Sequence, residues 1–87
     1  MNVTPSDNFK KRLSKLIKKN KAFEQRVADK LELFCQNPKH PSLRLHKLEG
    51  NKDKVWSISV SDNVRIILDY DDKGILLIDI GTHDEVY

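Results

Sequence analysis

Three apolar runs near the carboxyl end decide the fold: Val55-Trp-Ser-Ile-Ser-Val60, Val64-Arg-Ile-Ile-Leu-Asp-Tyr70 and Ile75-Leu-Leu-Ile-Asp-Ile80. Side chains alternate in character along the first two runs, which is the pattern of a strand with one buried face. Short polar turns at residues 61–63 and 71–74 separate the runs, and turns of this length join antiparallel neighbours. The three runs therefore predict an antiparallel β-meander.

The chain before the meander predicts two helices, because apolar residues repeat at helical spacing over about residues 6–19 and again over about 22–36. The two apolar stripes consist of Phe9, Leu13, Leu16 and Ile17, and of Phe23, Val27, Leu31, Phe34 and Cys35. A connection this short predicts an antiparallel helical hairpin. Residues 2–4 predict a short first strand, after which Thr4 or Ser6 caps the first helix and Pro5 suits its first turn.

From residue 43 the apolar period changes from helical to alternating, which predicts a further strand at 43–48 and a turn at 49–53. The expected fold is α+β, with a short N-terminal strand, a helical hairpin and a meander whose one face is covered by the helices. We assign Trp56 to the core, on the covered face. The opposite face then presents polar side chains to solvent, namely His46, Ser57, Ser59 and Arg65.

Arg65 is a candidate site residue because an arginine in the middle of a strand is costly to bury without partners. It therefore faces solvent, an anion or a carboxylate. The alternative is a structural salt bridge to Asp69 or Asp79 on the same surface.

Composition limits the class of protein. With 87 residues, 38% of them hydrophobic, we expect a single domain over residues 1–87. One cysteine provides neither a disulfide framework nor a cysteine pair for structural zinc, so we expect a reducing, cytoplasmic setting. No cofactor is expected. Residues 1–9 are polar and do not resemble a signal peptide, so none is expected, and no apolar run approaches the ~20 residues that a membrane span needs.

Charge is distributed unevenly along the chain. Residues 1–54 contain 14 Lys and Arg against 6 Asp and Glu, whereas residues 55–87 contain 2 against 7. Seven basic residues crowd into the first helix and its end: Lys10, Lys11, Arg12, Lys15, Lys18, Lys19 and Lys21. This cluster either attracts nucleic acid or an acidic protein partner, or is simply a solvated helix face.

The last seven residues, Gly81-Thr-His-Asp-Glu-Val-Tyr87, follow directly on the third apolar run. We expect Gly81 to end the strand, so that His83 and Tyr87 lie on a short exposed segment held by the sheet. Histidine exchanges a proton near neutral pH, and tyrosine offers a flat ring and a hydroxyl. The ending therefore indicates a site, although a solvated histidine and a tyrosine packed on the sheet are the plainer alternatives.

Four motifs in this order resemble the RelE/ParE superfamily of bacterial and archaeal type II toxins: Leu-His-Lys-Leu-Glu-Gly at 45–50, Val-Trp-Ser-Ile-Ser-Val at 55–60, Val-Arg-Ile-Ile-Leu at 64–68 and Ile-Gly-Thr-His-Asp-Glu-Val-Tyr at 80–87. The resemblance covers essentially the whole chain and is greatest to the YafQ branch. His46, His83 and Tyr87 match two histidines and the final aromatic of that branch, and Ser59 stands where the branch has a further histidine. Arg65 matches the strand arginine of RelE and YoeB members, and the YafQ aspartate falls near Asp62 or Asn63.

The resemblance implies an endonuclease that cuts messenger RNA in the ribosomal A site without a metal and that a cognate antitoxin silences. In that cleavage a 2′-hydroxyl attacks the adjacent phosphorus, so Arg65 is expected to hold the phosphate and His83 to protonate the departing 5′-oxygen. Tyr87 is expected to stack on a base, and His46 to act as base or phosphate contact. The remaining expected substrate-binding residues are Lys47, Lys52, Lys54, Ser57 and Ser59, the two serines standing where RelE has strand lysines.

Two other functions share the fold. A ParE-like protein poisons DNA gyrase by binding, and a catalytically silent member binds a partner or corepresses transcription with the antitoxin. The histidine and aromatic ending favours the nuclease, whereas the absent strand lysines fit the silent member. We expect the basic cluster of the first helix to receive an acidic antitoxin segment in a salt-sensitive association.

Overall fold

The computed structural model of the chain describes residues 2–48 and 55–86. In chain order it contains β1 (Asn2–Pro5), α1 (Asp7–Lys19), α2 (Ala22–Gln36), a 3-10 turn (Pro41–Leu43), β2 (His46–Lys47), β3 (Val55–Ser59), β4 (Val64–Asp71), β5 (Gly74–Thr82) and α3 (His83–Val86). The sheet has the order β1-β5-β4-β3-β2, with β1 parallel to β5 and the other neighbours antiparallel. The predicted α+β fold, with its first strand, two helices and meander, is confirmed.

The two predicted helices have nearly the expected bounds. Ser6, one of the two candidate caps, accepts a hydrogen bond from the backbone N–H of Phe9 at 3.0 Å and so begins α1. Pro5 lies in β1, not in the first helical turn as predicted, because β1 is an edge strand, where a residue without an N–H is tolerated. Asn20 separates the helices, and its side chain accepts from the N–H of Ala22.

The core lies between the helices and one face of the sheet. Its fully buried centre combines Phe34 of α2 with Ile58, Ile66 and Leu68 of the meander, as the alternation predicts. The core as a whole also includes Phe9, Val27, Leu43, Val60, Val64, Ile75, Leu77 and Ile80. Two assignments need correction: Trp56 is only half-buried at the edge of this core, and Cys35 is exposed because it lies outside the buried stripe of α2.

The strand predicted at 43–48 is shortened to the two residues of β2. Pro41 begins a 3-10 turn that buries Leu43 completely, and Arg44 follows in the left-handed region with φ 48°. Both conformations interrupt extended backbone, so pairing with β3 is established only at residue 46. The turn predicted at 49–53 lies outside the described residues.

Candidate functional site

Arg65, the second residue of β4, is held by two neighbours. Its Nε donates a hydrogen bond to the hydroxyl of Ser57, and its Nη2 donates to the backbone carbonyl of Arg44 at 3.0 Å. The left-handed conformation of Arg44 makes this carbonyl part of the same site. Within the described residues the predicted alternative, an ion pair with Asp69 or Asp79, is not formed, and Asp79 pairs instead with Arg12 at 3.4 Å.

The sheet face around Arg65 is less exposed than predicted. Ser57 has no exposed surface, Ser59 is 6% exposed and Ile67 is 4% exposed. The expectation that both serines face solvent is therefore wrong. Arg65 covers Ser57, and the hydroxyl of Ser59 donates to the backbone carbonyl of Ser61, so each buried serine has a hydrogen-bond partner.

The sheet register places Arg65 beside the end of the chain. Arg65 is paired with Gly81 of β5, and α3 begins two residues later at His83. An open cleft of about 320 Å³ lies here, lined by Asp62, Asn63, Arg65, Thr82 and Asp84. The backbone of His83, which joins Thr82 to Asp84, is thus next to the cleft that contains Arg65.

The other predicted site residues are divided between two faces of the sheet. His46 is exposed and paired in register with Ser57, so it shares the face of Arg65. Lys47 is exposed as well, but it is paired with Trp56 and therefore belongs to the face that the helices cover. Lys52, Lys54 and Tyr87 lie outside the described residues, so their predicted roles stay predictions.

The backbone of the C-terminal segment differs from the prediction. Gly81 does not end the strand as predicted, because β5 continues to Thr82, and the residues after it form the short helix α3, which was not predicted. Glu85 accepts a hydrogen bond from the N–H of Thr82 at 2.8 Å. This is half of a capping box, which the spacing Thr82-x-x-Glu85 signals in the sequence but which our interpretation missed.

Glu85 is more strongly acidic than an ordinary glutamate. The backbone N–H of Thr82 is the main reason for its lowered pKa, and the side chain of Thr82 and the positive charges of Arg12 and Lys19 lower that pKa further. The Arg12 Nη1 also donates to the backbone carbonyl of Glu85 at 3.4 Å. Arg12 of α1 therefore contacts the acidic C-terminal segment.

A second cleft, of about 580 Å³, separates α1 from the end of the sheet. Its lining joins basic side chains of α1 to apolar and acidic residues of the C-terminal part: Arg12, Lys15, Leu16, Lys18, Lys19, Ile80, Gly81, Thr82 and Glu85. We call this the α1 cleft. Most of the basic residues noted in the sequence around α1 thus border one concave surface.

A family described as "Bacterial toxin of type II toxin-antitoxin system, YafQ" matches residues 1–87. The chain belongs to the YafQ toxin family. The resemblance found in the sequence is thereby confirmed, and the chain is a toxin of a type II toxin–antitoxin system. No curated protein sequence matches the chain.

Solved structures of YafQ and related toxins share the fold. YafQ from E. coli has 19% sequence identity and a TM-score of 0.82, covering 99% of this chain and 97% of its own. A copper-bound mutant toxin from Helicobacter pylori has 20% identity and a TM-score of 0.80, covering 100% and 99%. The YoeB dimer from Staphylococcus aureus has 18% identity and a TM-score of 0.79, covering 95% and 97%.

The E. coli YafQ has also been solved as a DinJ-YafQ toxin-antitoxin complex, with the same TM-score of 0.82. At these identities the structural likeness establishes the fold alone.

None of the helices in the described part of the chain combines the length and apolar character that a membrane span needs.

Proposed function

We propose that this YafQ-family toxin is a ribosome-dependent endoribonuclease that cleaves messenger RNA in the A site by metal-independent attack of the 2′-hydroxyl. Family membership supports an endoribonuclease in general. The observation that carries the finer proposal is the placement of Arg65, in register with Gly81, in the cleft where His83 begins α3.

Arg65 suits a phosphate contact because its guanidinium is already fixed. Arginine has five N–H donors, and the bonds to Ser57 and Arg44 use two of them, which leaves three for phosphoryl oxygens. A guanidinium held in advance loses little freedom when substrate binds, and it remains charged at any relevant pH. Arg65 would therefore stabilise the negative charge that develops on the phosphate during attack.

The proton transfers are assigned to the two histidines and the orientation of the base to Tyr87. His83 donates a proton to the departing 5′-oxygen, since imidazole changes charge near neutral pH. His46, exposed on the face that carries Arg65, accepts the proton of the 2′-hydroxyl or contacts a phosphate. Tyr87 stacks on the base beside the scissile bond.

Cleavage is tested with translating ribosomes and a defined message, comparing wild type with Arg65→Ala, Arg65→Lys and His83→Ala. Both alanine variants are expected to lower kcat/KM by about 100-fold or more, the loss that follows removal of one transition-state contact. Arg65→Lys should recover little, because an ammonium lacks the planar fork. Arg26→Ala is the matched control, since Arg26 is an exposed arginine of α2 whose guanidinium lies 5.9 Å from the ring of Phe23.

Intact messages with wild type would refute the nuclease. If the same preparation then stops supercoiling by DNA gyrase, the ParE-like activity replaces it. If neither reaction is affected, a silent, partner-binding member of the fold remains. Metal independence is tested by treating the toxin with a chelator and desalting it before it is added to the ribosomes, which themselves need Mg²⁺. A toxin that requires a bound metal would lose its activity.

We infer a cognate antitoxin as the partner, with the α1 cleft as its docking surface. Lys15, Lys18 and Lys19 form a positive rim, and Leu16 and Ile80 provide an apolar floor. An acidic segment with one or two apolar side chains complements both features. The DinJ-YafQ complex of a protein with the same fold supports an antitoxin partner in general.

Docking is tested with the product of the open reading frame beside the toxin gene, which we expect to be a small acidic protein. Lys15→Glu/Lys18→Glu should weaken association at least about tenfold at low salt and flatten its salt dependence. Lys30→Glu/Lys39→Glu makes the same charge change away from the cleft and should have a much smaller effect. Equal effects of the two double variants would exclude the α1 cleft as the docking surface.

A further inference from the structure

The end of the chain turns back tightly on Gly81. A Cβ atom added to Gly81 would lie 3.0 Å from the Glu85 Oε1, 3.2 Å from the Glu85 Cβ and 3.2 Å from the Val86 Cγ1. The space that a side chain would fill at position 81 is therefore occupied by α3 itself. Glycine permits this close approach of the helix to the strand that precedes it.

A helix as short as α3 needs support from outside its own hydrogen bonds. It contains four residues, whereas isolated helices shorter than about 12–15 residues are marginal in water. The carboxylate of Glu85 supplies one support by accepting from the N–H of Thr82 at 2.8 Å. That bond closes a ring around His83 and Asp84, the first residues of α3.

Arg12 supplies a second support from α1. Its Nη1 donates to the backbone carbonyl of Glu85 at 3.4 Å, and its Nε lies 3.4 Å from the Oδ1 of Asp79. One side chain of α1 thus contacts both β5 and α3, on either side of the turn. Lys19, farther along α1, adds positive charge near Glu85, and together with Arg12 and the Thr82 contacts it keeps the pKa of that carboxyl low.

We propose that Glu85 is a positioning residue, which fixes the backbone turn from Thr82 to His83 relative to Arg65 without contacting substrate. The proposal rests on the nuclease function proposed above, because that function gives the position of His83 relative to Arg65 its importance. The carboxylate of Glu85 stays charged, and the positive charges of Arg12 and Lys19 beside it partly offset its repulsion of RNA phosphates. We call the contacts that Glu85, Gly81 and Arg12 make at this turn the latch. Gly81 leaves space for α3 to approach the strand, and Arg12 holds α3 from α1.

The test compares Glu85→Ala with Glu85→Gln. Glutamine keeps an oxygen that accepts the Thr82 N–H, as it does in capping boxes generally, whereas alanine does not. In the ribosome assay Glu85→Ala should lower kcat by about 10- to 100-fold with little change in KM, and Glu85→Gln should restore most of the loss. An unchanged kcat in Glu85→Ala, or equal loss in both variants, overturns the positioning role.

A second measurement does not depend on enzymatic activity. It is the hydrogen exchange of the Thr82 amide, followed by NMR in wild type, Glu85→Ala and Glu85→Gln. Protection lost in Glu85→Ala and kept in Glu85→Gln supports the latch, and equal exchange in all three proteins overturns it. A wild type that leaves RNA intact refutes the nuclease instead, and the latch then stands or falls on the exchange data alone.

Discussion

Replacement of Ser57 by alanine tests whether the buried hydroxyl holds Arg65 in place. Ser57 has no exposed surface and accepts from the Arg65 Nε, so Ser57→Ala removes a hydrogen bond to a charged donor. Such bonds contribute about 1.5–3 kcal/mol when fully buried. Arg65 is half-buried and water can replace the lost acceptor, so we expect about 1–2 kcal/mol and a Tm lowered by roughly 4–16 °C for a domain of this size.

Ser59→Ala is the matched control. Ser59 is a buried serine of the same strand, but its hydroxyl donates to the carbonyl of Ser61. Because loss of that bond also costs about 1 kcal/mol, single variants do not separate the two serines, and a double-mutant cycle is needed. Combined with Arg65→Met, Ser57→Ala should show a coupling of about 1 kcal/mol, and Ser59→Ala less than about half of that.

The same variants have an expected effect on cleavage. A guanidinium released from Ser57 must be reoriented when the phosphate binds, and a loss of about 1.4 kcal/mol corresponds to tenfold in kcat/KM. Ser57→Ala should therefore cleave about tenfold more slowly, and Ser59→Ala should lose less, because Ser59 is paired in register with Arg65 but its hydroxyl donates to the carbonyl of Ser61. Equal coupling of both serines to Arg65 in urea unfolding would refute the inference that Ser57 positions this arginine.

Three further outcomes are expected. Gly74→Ala should lower the free energy of unfolding by about 1–3 kcal/mol, because Gly74 has φ 156° and an added Cβ would lie 2.5 Å from a carbonyl of β1; an unchanged urea midpoint would contradict this. Phe34→Ala should cost about 3–5 kcal/mol at a fully buried position, whereas Cys35→Ala, next to it and exposed, should stay within about 0.5 kcal/mol. The Glu85 cap should stabilise the fold fully above the ordinary glutamate pKa of about 4.3, and this stabilisation should disappear as pH falls through the lowered pKa of Glu85 in the folded protein. A midpoint at or above about 4.3 for Glu85 in an NMR titration would contradict the cap.

The elements with strong local signals were predictable from the sequence. Both long helices have regular apolar spacing and polar interruptions, and the bounds of α2 agree with the prediction at both ends. The meander was predictable because Ile58, Ile66 and Leu68 alternate with other residues on strands joined by short turns. In these segments local propensity and burial favour the same structure.

The errors occur where a contact distant in sequence decides the conformation. Ser57 was expected to face solvent, but Arg65, eight residues away, covers it. The strand at 43–48 was overestimated because alternation alone does not reveal the left-handed Arg44, whose carbonyl accepts from the same arginine. Neither contact is encoded in a local period. The candidate site was therefore predicted from Arg65 and the C-terminal motif, whereas the groups that hold Arg65 are visible only in the structure.

The uneven charge of the sequence has a structural explanation at the end of β5. The acidic part of the chain folds against the basic helix, where Asp79 and Glu85 both contact Arg12. Arg65 is paired in register with Gly81, and its guanidinium donates to Ser57 and Arg44. The carboxylates of Asp79 and Glu85 have other partners, namely Arg12 and the Thr82 N–H. In α1, Arg12 contacts the C-terminal turn, and the lysines around it are exposed. If the antitoxin docks in the α1 cleft as proposed, its acidic segment would lie close to Arg12, and we expect its binding to shift the His83 turn through that arginine.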